Sequence, residues 1–447
     1  MTALDTRSGT GPADTRAAGP LRRRIPELLH DPAFRRYWTG QTVSSLGDQV
    51  TLLVIPLIAA TALHADAAQM GYLSAAGYLP YLLLSLHAGG WADRYGHRRR
   101  MMIAADLGRA AVLLTVPFAW GAGLLTLWQL YAAVLLTGAL SVLFNVCNPP
   151  LFVALVPADQ YLRGNALING SRAATYVAGP GLGGLLVQLL AAPLTLVADA
   201  LSFLASALFL RRIDPVEPPP AASGKGSTAE GMRWIRRDPV IRAALLGTAT
   251  VNLFTFVVSA LFVLYATREL GFSAGLLGAV LSAAAVGTLL GAALTGRLAA
   301  RIGVGPAFLF GLVAFPAPLL LVPLAGGSTG GAALLFGAEF LSGIGVMILD
   351  ITAGSIFAAC IPNALRSRVQ GAYQAVNFGV RPVGSLLGGL LGSTLGLRPA
   401  LWIAAVGAVA SGLWVLFSPI PRMRELPEPE PAPEAAPAPA GSTGTGT

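Results

Sequence analysis

Apolar residues along this chain collect into twelve long runs, not into the short alternating clusters of a soluble sheet. They cover 37–62, 70–91, 101–120, 124–147, 164–190, 192–210, 243–266, 276–297, 305–323, 332–359, 371–395 and 399–417. About twenty helical residues cross a bilayer core of about 30 Å, so each run predicts one membrane-spanning helix. The polar stretches divide the chain further. Residues 1–33 form a polar, Arg-bearing N-terminal tail, and the first run starts too late and runs too long for a cleaved signal peptide. Residues 211–240, rich in Pro, Ser and charge, read as a linker between a first six-helix bundle, 34–210, and a second, 241–418. The Pro/Ala-rich tail 419–447 has a composition that favours disorder.

Charge orients this pattern. With the N-terminus, the even-to-odd loops and the C-terminus on one side, that side collects Arg22 to Arg24, Arg94, Arg98 to Arg100, Arg163, Arg233, Arg301, Arg366 and their neighbours. The opposite loops hold only Arg268 and Arg398. The positive-inside rule then puts both termini in the cytoplasm of a bacterial cell, with the chain multi-pass in the plasma membrane.

Composition agrees. The 447 residues are 54% hydrophobic and 11% charged, where a soluble protein has roughly 25% charged. A net charge of +9 invites a nucleic-acid partner, but the arginines flank the apolar runs, so none is expected. Cys147 and Cys360 make no disulfide framework, and His30, His64, His87 and His97 have no ligand spacing. No phosphate-binding glycine loop is present, so no cofactor, no metal and no ATP-driven step are expected.

Between the second and third runs stands Gly89-Gly90-Trp91-Ala92-Asp93-Arg94-Tyr95-Gly96-His97-Arg98, a short charged link that predicts a tight hairpin with a glycine turn. Asp93 is placed to meet the nearby arginines or the positive end of another helix. The pattern Gly89, Asp93, Arg94, Gly96, Arg98 resembles the signature loop of the major facilitator superfamily of secondary transporters. A second copy follows 207 positions on, with Gly296, Ala299, Arg301 and Gly303 matching Gly89, Ala92, Arg94 and Gly96, while Ala300 replaces Asp93. Asp31-Pro32 recurs as Asp238-Pro239 at the same offset. Phe152, Pro157, Arg163, Gly179, Gly183 and Gly184 meet Phe357, Pro362, Arg368, Gly384, Gly388 and Gly389 at an offset of 205. Such a parallel repeat is how this superfamily builds its two halves. The resemblance covers residues 31 to 417. It implies an all-α membrane protein of twelve transmembrane helices in two pseudo-symmetric six-helix bundles, the major facilitator fold.

Gly179-Pro180-x-x-Gly183-Gly184 in the fifth run resembles the helix motif of facilitator exporters, although Ala166 and Thr175 replace its upstream glycines. Many proton-coupled drug exporters carry an Arg in the fourth span before a glycine. Here Val134 precedes Gly138, so coupling does not carry over from that motif. Ser44-Ser45-Leu46-Gly47-Asp48, Ala105-Asp106-x-x-Arg109 and Asp199-Ala200-Leu201-Ser202-Phe203 together resemble the branch of macrolide-efflux-like and siderophore-exporter-like proteins, the transmembrane secretion effectors.

Intramembrane charges are costly, so the ionisable residues inside the runs are the candidate chemistry. Asp106 and Arg109 stand three apart on one helix face and predict a structural ion pair. Asp199, on a peripheral sixth span, is expected to be structural as well. Arg172 and Arg381 either pair with acids across the bundle or bind an anionic substrate. Asp48, Glu339 and Asp350 are the expected proton-coupling acids. Glu339 and Asp350 lie eleven residues apart, on one face of the tenth span and roughly 16 Å apart along it. Tyr131, Phe144, Phe254, Phe256 and Phe340 are candidate lining for a hydrophobic molecule at the midplane.

The expectation is a monomeric exporter of amphipathic small molecules, a drug or a secondary metabolite such as a siderophore. It would work by alternating access in the lipid bilayer, with protons as the coupling ion. A membrane-embedded transferase would need a clustered nucleophile, His–acid pair or metal motif, and the sequence offers none. A non-transporting receptor on the same fold is the third reading.

Overall fold

The computed structural model describes residues 27–215, 228–362 and 365–426, with side chains for all of these except 27, 85–95, 228 and 367. The outer tails, 1–26 and 427–447, lie outside the described residues.

The two halves begin alike. Helix α1 (Pro32–Leu57) starts where the Asp31 carboxylate accepts the Ala33 N–H at 2.9 Å. The first spanning helix of the second half, Pro239–Arg268, starts where Asp238 accepts the Ile241 N–H at 2.8 Å. An aspartate cap ahead of a proline satisfies a free N–H and presets the first helical φ. The repeated Asp-Pro is therefore one start signal used twice.

The first half continues with α2 (Ala67–Tyr95), α3 (Arg98–Gly121), α4 (Leu127–Leu155), α5 (Tyr161–Leu190) and α6 (Ala192–Arg211). A short α7 (Thr228–Arg237) precedes the second half, in which Pro239–Arg268 is α8. Then come α9 (Ala274–Ile302), α10 (Val304–Ala314), α11 (Thr329–Cys360), α12 (Arg366–Leu395), α13 (Leu397–Ala410) and α14 (Gly412–Leu416). The ninth span extends α10 by a 3-10 segment, Ala317–Leu324, and the twelfth joins α13 to α14. Ten of these segments are long and apolar enough by themselves to cross a bilayer, and α2 and α12 complete twelve.

Two local features differ from the sequence expectation. The signature segment makes the expected tight glycine turn, but most of it is helix, because α2 runs past residue 91 through Tyr95 and the reversal is confined to Gly96 and His97. Gly96 takes φ +64°, and its repeat counterpart Gly303 ends α9 at φ +95°. Glycine alone adopts such angles without a β-carbon penalty, which explains why this position repeats. The linker also holds structure. Ile235 of α7 is buried, and Glu230 bridges Arg368 of α12 at 2.8 Å, so α7 is pinned to the second bundle.

The packing is asymmetric between the two ends of the molecule. Away from the termini one apolar cluster unites both halves, running from Val50, Leu57 and Ile58 to Val257, Leu261 and Leu277. Toward the termini the core divides in two. One cluster holds Phe34, Tyr37, Met102 and Leu151 of the first half, and the other holds Ile241, Phe308, Ile356 and Ile420 of the second. The bundles thus touch at one end and are separate cores at the other.

Small residues make the joined end possible. Gly179 and Gly183 of α5 lie against Gln49 and Val50 of α1, while Gly184 lies against Ala274 and Gly275 of α9 in the other half. The repeat reproduces this. Gly384 and Gly388 of α12 lie against Leu253 and Val257 of α8, and Gly389 lies against Gly71 of α2. Lipid tails are as apolar as leucine, so close backbone approach of this kind, not hydrophobic burial, holds helices together in a membrane.

Candidate functional site

Between the bundles lies a cavity of about 640 Å³. That volume suits a drug-sized molecule. The first half contributes Asp48 and Thr51 of α1, Tyr78 and Tyr81 of α2, Arg109 of α3, Val134 and Ser141 of α4, Tyr176 of α5, and Asp199 and Phe203 of α6. The second half contributes Phe256 and Phe262 of α8, Phe315 beyond α10, and Glu339 and Ser342 of α11. The walls are mainly apolar and aromatic, with a few polar groups.

Those polar groups are unevenly arranged. On the first-half wall Arg109 is 2% exposed and forms an ion pair with Asp106, which is 0% exposed. Its other nitrogen stands 3.8 Å from Asp48 and 3.3 Å from the Ser141 hydroxyl. The guanidinium also lies over Phe203 and Phe144, 4.1 and 4.6 Å from the ring centroids. An arginine in so apolar a place needs such compensation on every side. Asp199 completes the cluster, accepting hydrogen bonds from Thr51 and Ser202. The three short stretches of α1, α3 and α6 quoted for the family resemblance thus converge on one buried network.

The second-half wall is simpler. Glu339 is half-buried and, among the described residues, has no hydrogen-bond or ion-pair partner. Among the described residues no carboxylate lies within ion-pairing distance of Arg381 of α12, although Asp350 of α11 acts on it electrostatically. Arg381 sits among rings, 4.4 Å from the centroid of Phe378, 5.1 Å from Phe256 and 5.9 Å from Tyr78 of the opposite bundle.

Several expected residues are placed elsewhere. Asp350 is exposed and does not line the cavity, although it shares α11 with Glu339. Arg172 is likewise exposed and off the cavity wall. Of the five candidate aromatics only Phe256 lines the cavity. Phe144 is buried beneath Arg109, the Phe254 ring packs at Gly407, and the Tyr131 hydroxyl donates to the Gln69 carbonyl at 3.2 Å. Asp199 is not peripheral, because the inner face of α6 carries it to the cavity wall. The side chains of Gly89, Asp93 and Arg94 in the signature segment lie outside the described ones, whereas Arg98 is buried. Sequence reasoning missed Tyr78, Tyr81 and Tyr176. The one available signal was the presence of tyrosines inside apolar runs, since a buried hydroxyl seeks a polar partner.

Two like bundles of six helices around a central cavity define a membrane protein of the major facilitator fold. Within that fold the chain belongs to the transmembrane secretion effector family, whose family model matches residues 27–438. An uncharacterised facilitator-type transporter of Bacillus subtilis, YfiS, is 28% identical over 401 residues, covering 84% of this chain and 91% of that protein. The multidrug efflux pump Tap of Mycobacterium tuberculosis is 28% identical over 407 residues, covering 86% and 92%. Among solved structures, a bacterial homologue of the iron transporter ferroportin, in an inward-facing state, superposes with a TM-score of 0.71 at 18% identity. That match covers 88% of this chain and 99% of the other.

Proposed function

We propose that this chain exports amphipathic small molecules from the bacterial cytoplasm by alternating access, driven by proton antiport. The observation that carries this reading is the cavity, which is bounded by aromatic walls and faced by a carboxyl group from each bundle, Asp48 and Glu339. Drug export as the outcome is supported by the efflux pumps among its relatives. The arginine distribution favours cytoplasmic termini. On that orientation the bundles meet at the outer end and part at the inner one, as an inward-facing transporter requires.

Glu339 acts as the exchanging acid of the second bundle, and Asp48 as the cavity-facing carboxyl through which a proton reaches the first. A carboxyl group in a cavity alternately open to either side can pass a proton across. Asp350 has no part in this exchange. The segment from Gly89 to Arg98 serves as the switch at the inner face. Inverted vesicles carrying the chain test the reading. They should accumulate a fluorescent amphipathic dye when energised, and a protonophore should abolish the accumulation. Protonophore-insensitive accumulation would refute antiport, and no accumulation of any amphipathic compound in a broad screen would refute export.

A further inference from the structure

In the first bundle three carboxyl groups surround one guanidinium: Asp48 on α1, Asp106 on α3 and Asp199 on α6, around Arg109. Arg109 is committed to Asp106 and Asp48. Asp199 has a different surrounding. It is 1% exposed, and among the described residues no cation lies within ion-pairing distance of it. Its two oxygens are met by hydroxyls, Ser202 donating to Oδ1 at 2.9 Å and Thr51 to Oδ2.

The backbone leaves room for this group. A β-carbon on Gly47 would collide with Asp199 Oδ1 and Ser202 Oγ, so the carboxyl packs onto bare helix α1. With every group charged, the cluster would hold three negative charges against one positive inside the membrane. Arg109 is held by Asp106 and Asp48, and Arg172 of α5 acts on Asp48. Asp199 therefore keeps no cation of its own, and a buried, uncompensated carboxylate takes a proton instead.

We propose that Asp199 is the residue on which the first bundle carries its exchangeable proton. Hydroxyls both donate and accept. Thr51 and Ser202 therefore satisfy the carboxylate as donors, and one of them accepts from the neutral acid after its own O–H turns. The site is complete in both states without moving a helix. Thr51 lines the cavity and stands one turn beyond Asp48, whose side chain is 47% exposed. A proton from cavity water passes Asp48 and Thr51 to Asp199 and leaves by the same way. The charged and titratable groups facing Asp199 are Asp48 from α1 and Arg109, with its partner Asp106, from α3. The Asp106–Arg109 pair remains fixed through the cycle.

This inference rests on the antiport reading, and an infrared titration separates the two. The full chain bearing Glu339→Gln, so that the second bundle's acid adds no signal, should show in lipid nanodiscs a protonated-carboxyl band that disappears as pH rises. Asp199→Asn should lose that band, whereas Asp106→Asn should keep it. A band unchanged in Asp199→Asn would overturn the proposal. Should that variant fail to fold, Thr51→Val decides: a shifted band supports the site and an unshifted one rejects it. Vesicle accumulation with and without protonophore then reports on antiport separately. Loss of the Asp199 band with protonophore-insensitive wild-type transport would reject coupling while leaving the proton site standing.

Discussion

Ser74 Oγ of α2 and Ser385 Oγ of α12 stand 2.8 Å apart, joining the two bundles across their seam. Just beyond, a β-carbon on Gly71 would fall 2.7 Å from the Cα of Gly389, so the helices touch backbone to backbone. An alternating transporter must open this seam to reach its other state. Replacing Ser74 and Ser385 together by cysteine, with Cys147 and Cys360 removed, should give a pair that oxidises readily. Transport should stop on oxidation and return with reductant. Undiminished transport at full cross-linking would show that the seam never parts.

A second expectation concerns Arg109. Its removal as Arg109→Met leaves Asp106 buried without its cation, a loss of about 3–5 kcal/mol. Unfolding in lipid–detergent mixtures should show a destabilisation of that order. Asp106→Asn combined with Arg109→Met should recover most of it, because the uncompensated charge is then gone. A double variant as unstable as the sum of the two would deny the pairing its role.

Glu339 and Asp350 share α11 and should behave in opposite ways. Glu339→Gln removes a carboxyl group from the cavity wall, so uphill dye accumulation should be lost while downhill movement persists. Asp350→Asn alters an exposed group off the wall and should leave accumulation near wild type. Equal losses in both would return Asp350 to the exchange.

Tyr78 and Arg381 offer a test of the balance between states. Tyr78 belongs to the first bundle, yet its ring meets Phe256 edge-on at 4.7 Å and stands 5.9 Å from the Arg381 guanidinium of the second. These contacts hold the bundles in the described arrangement. Tyr78→Leu forfeits about 1–2 kcal/mol of ring and cation contact, enough to shift a near-balanced equilibrium by roughly five- to thirty-fold. Spin-label distances across the inner ends of the bundles should shorten in that variant. An unchanged distribution would mean the aromatic contact does not bias the states.

The number of spans and the doubled architecture could be read directly from the chain. Apolar length, an Asp-Pro start and a glycine stop are local properties, acting through backbone geometry within a few residues. Asp31 and Asp238 cap their helices because any chain with that sequence there would do so, and Gly96 and Gly303 end theirs for the same reason. The Asp106–Arg109 contact was legible too, since three residues on a helix bring two side chains to one face.

Membership of the cavity was decided by the tertiary structure. In a soluble helix the polar stripe announces which face looks outward. In a membrane both lipid and core are apolar, so rotation about the axis leaves little trace in the sequence. Glu339 and Asp350 project from one face of α11, yet only Glu339 lines the cavity. The packing of the bundles sets the depth at which the cavity lies, and the two residues stand roughly 16 Å apart along the axis. Asp199 looked peripheral until α6 was seen packed against α1 and α3, which turns it toward Thr51 and the network around Arg109.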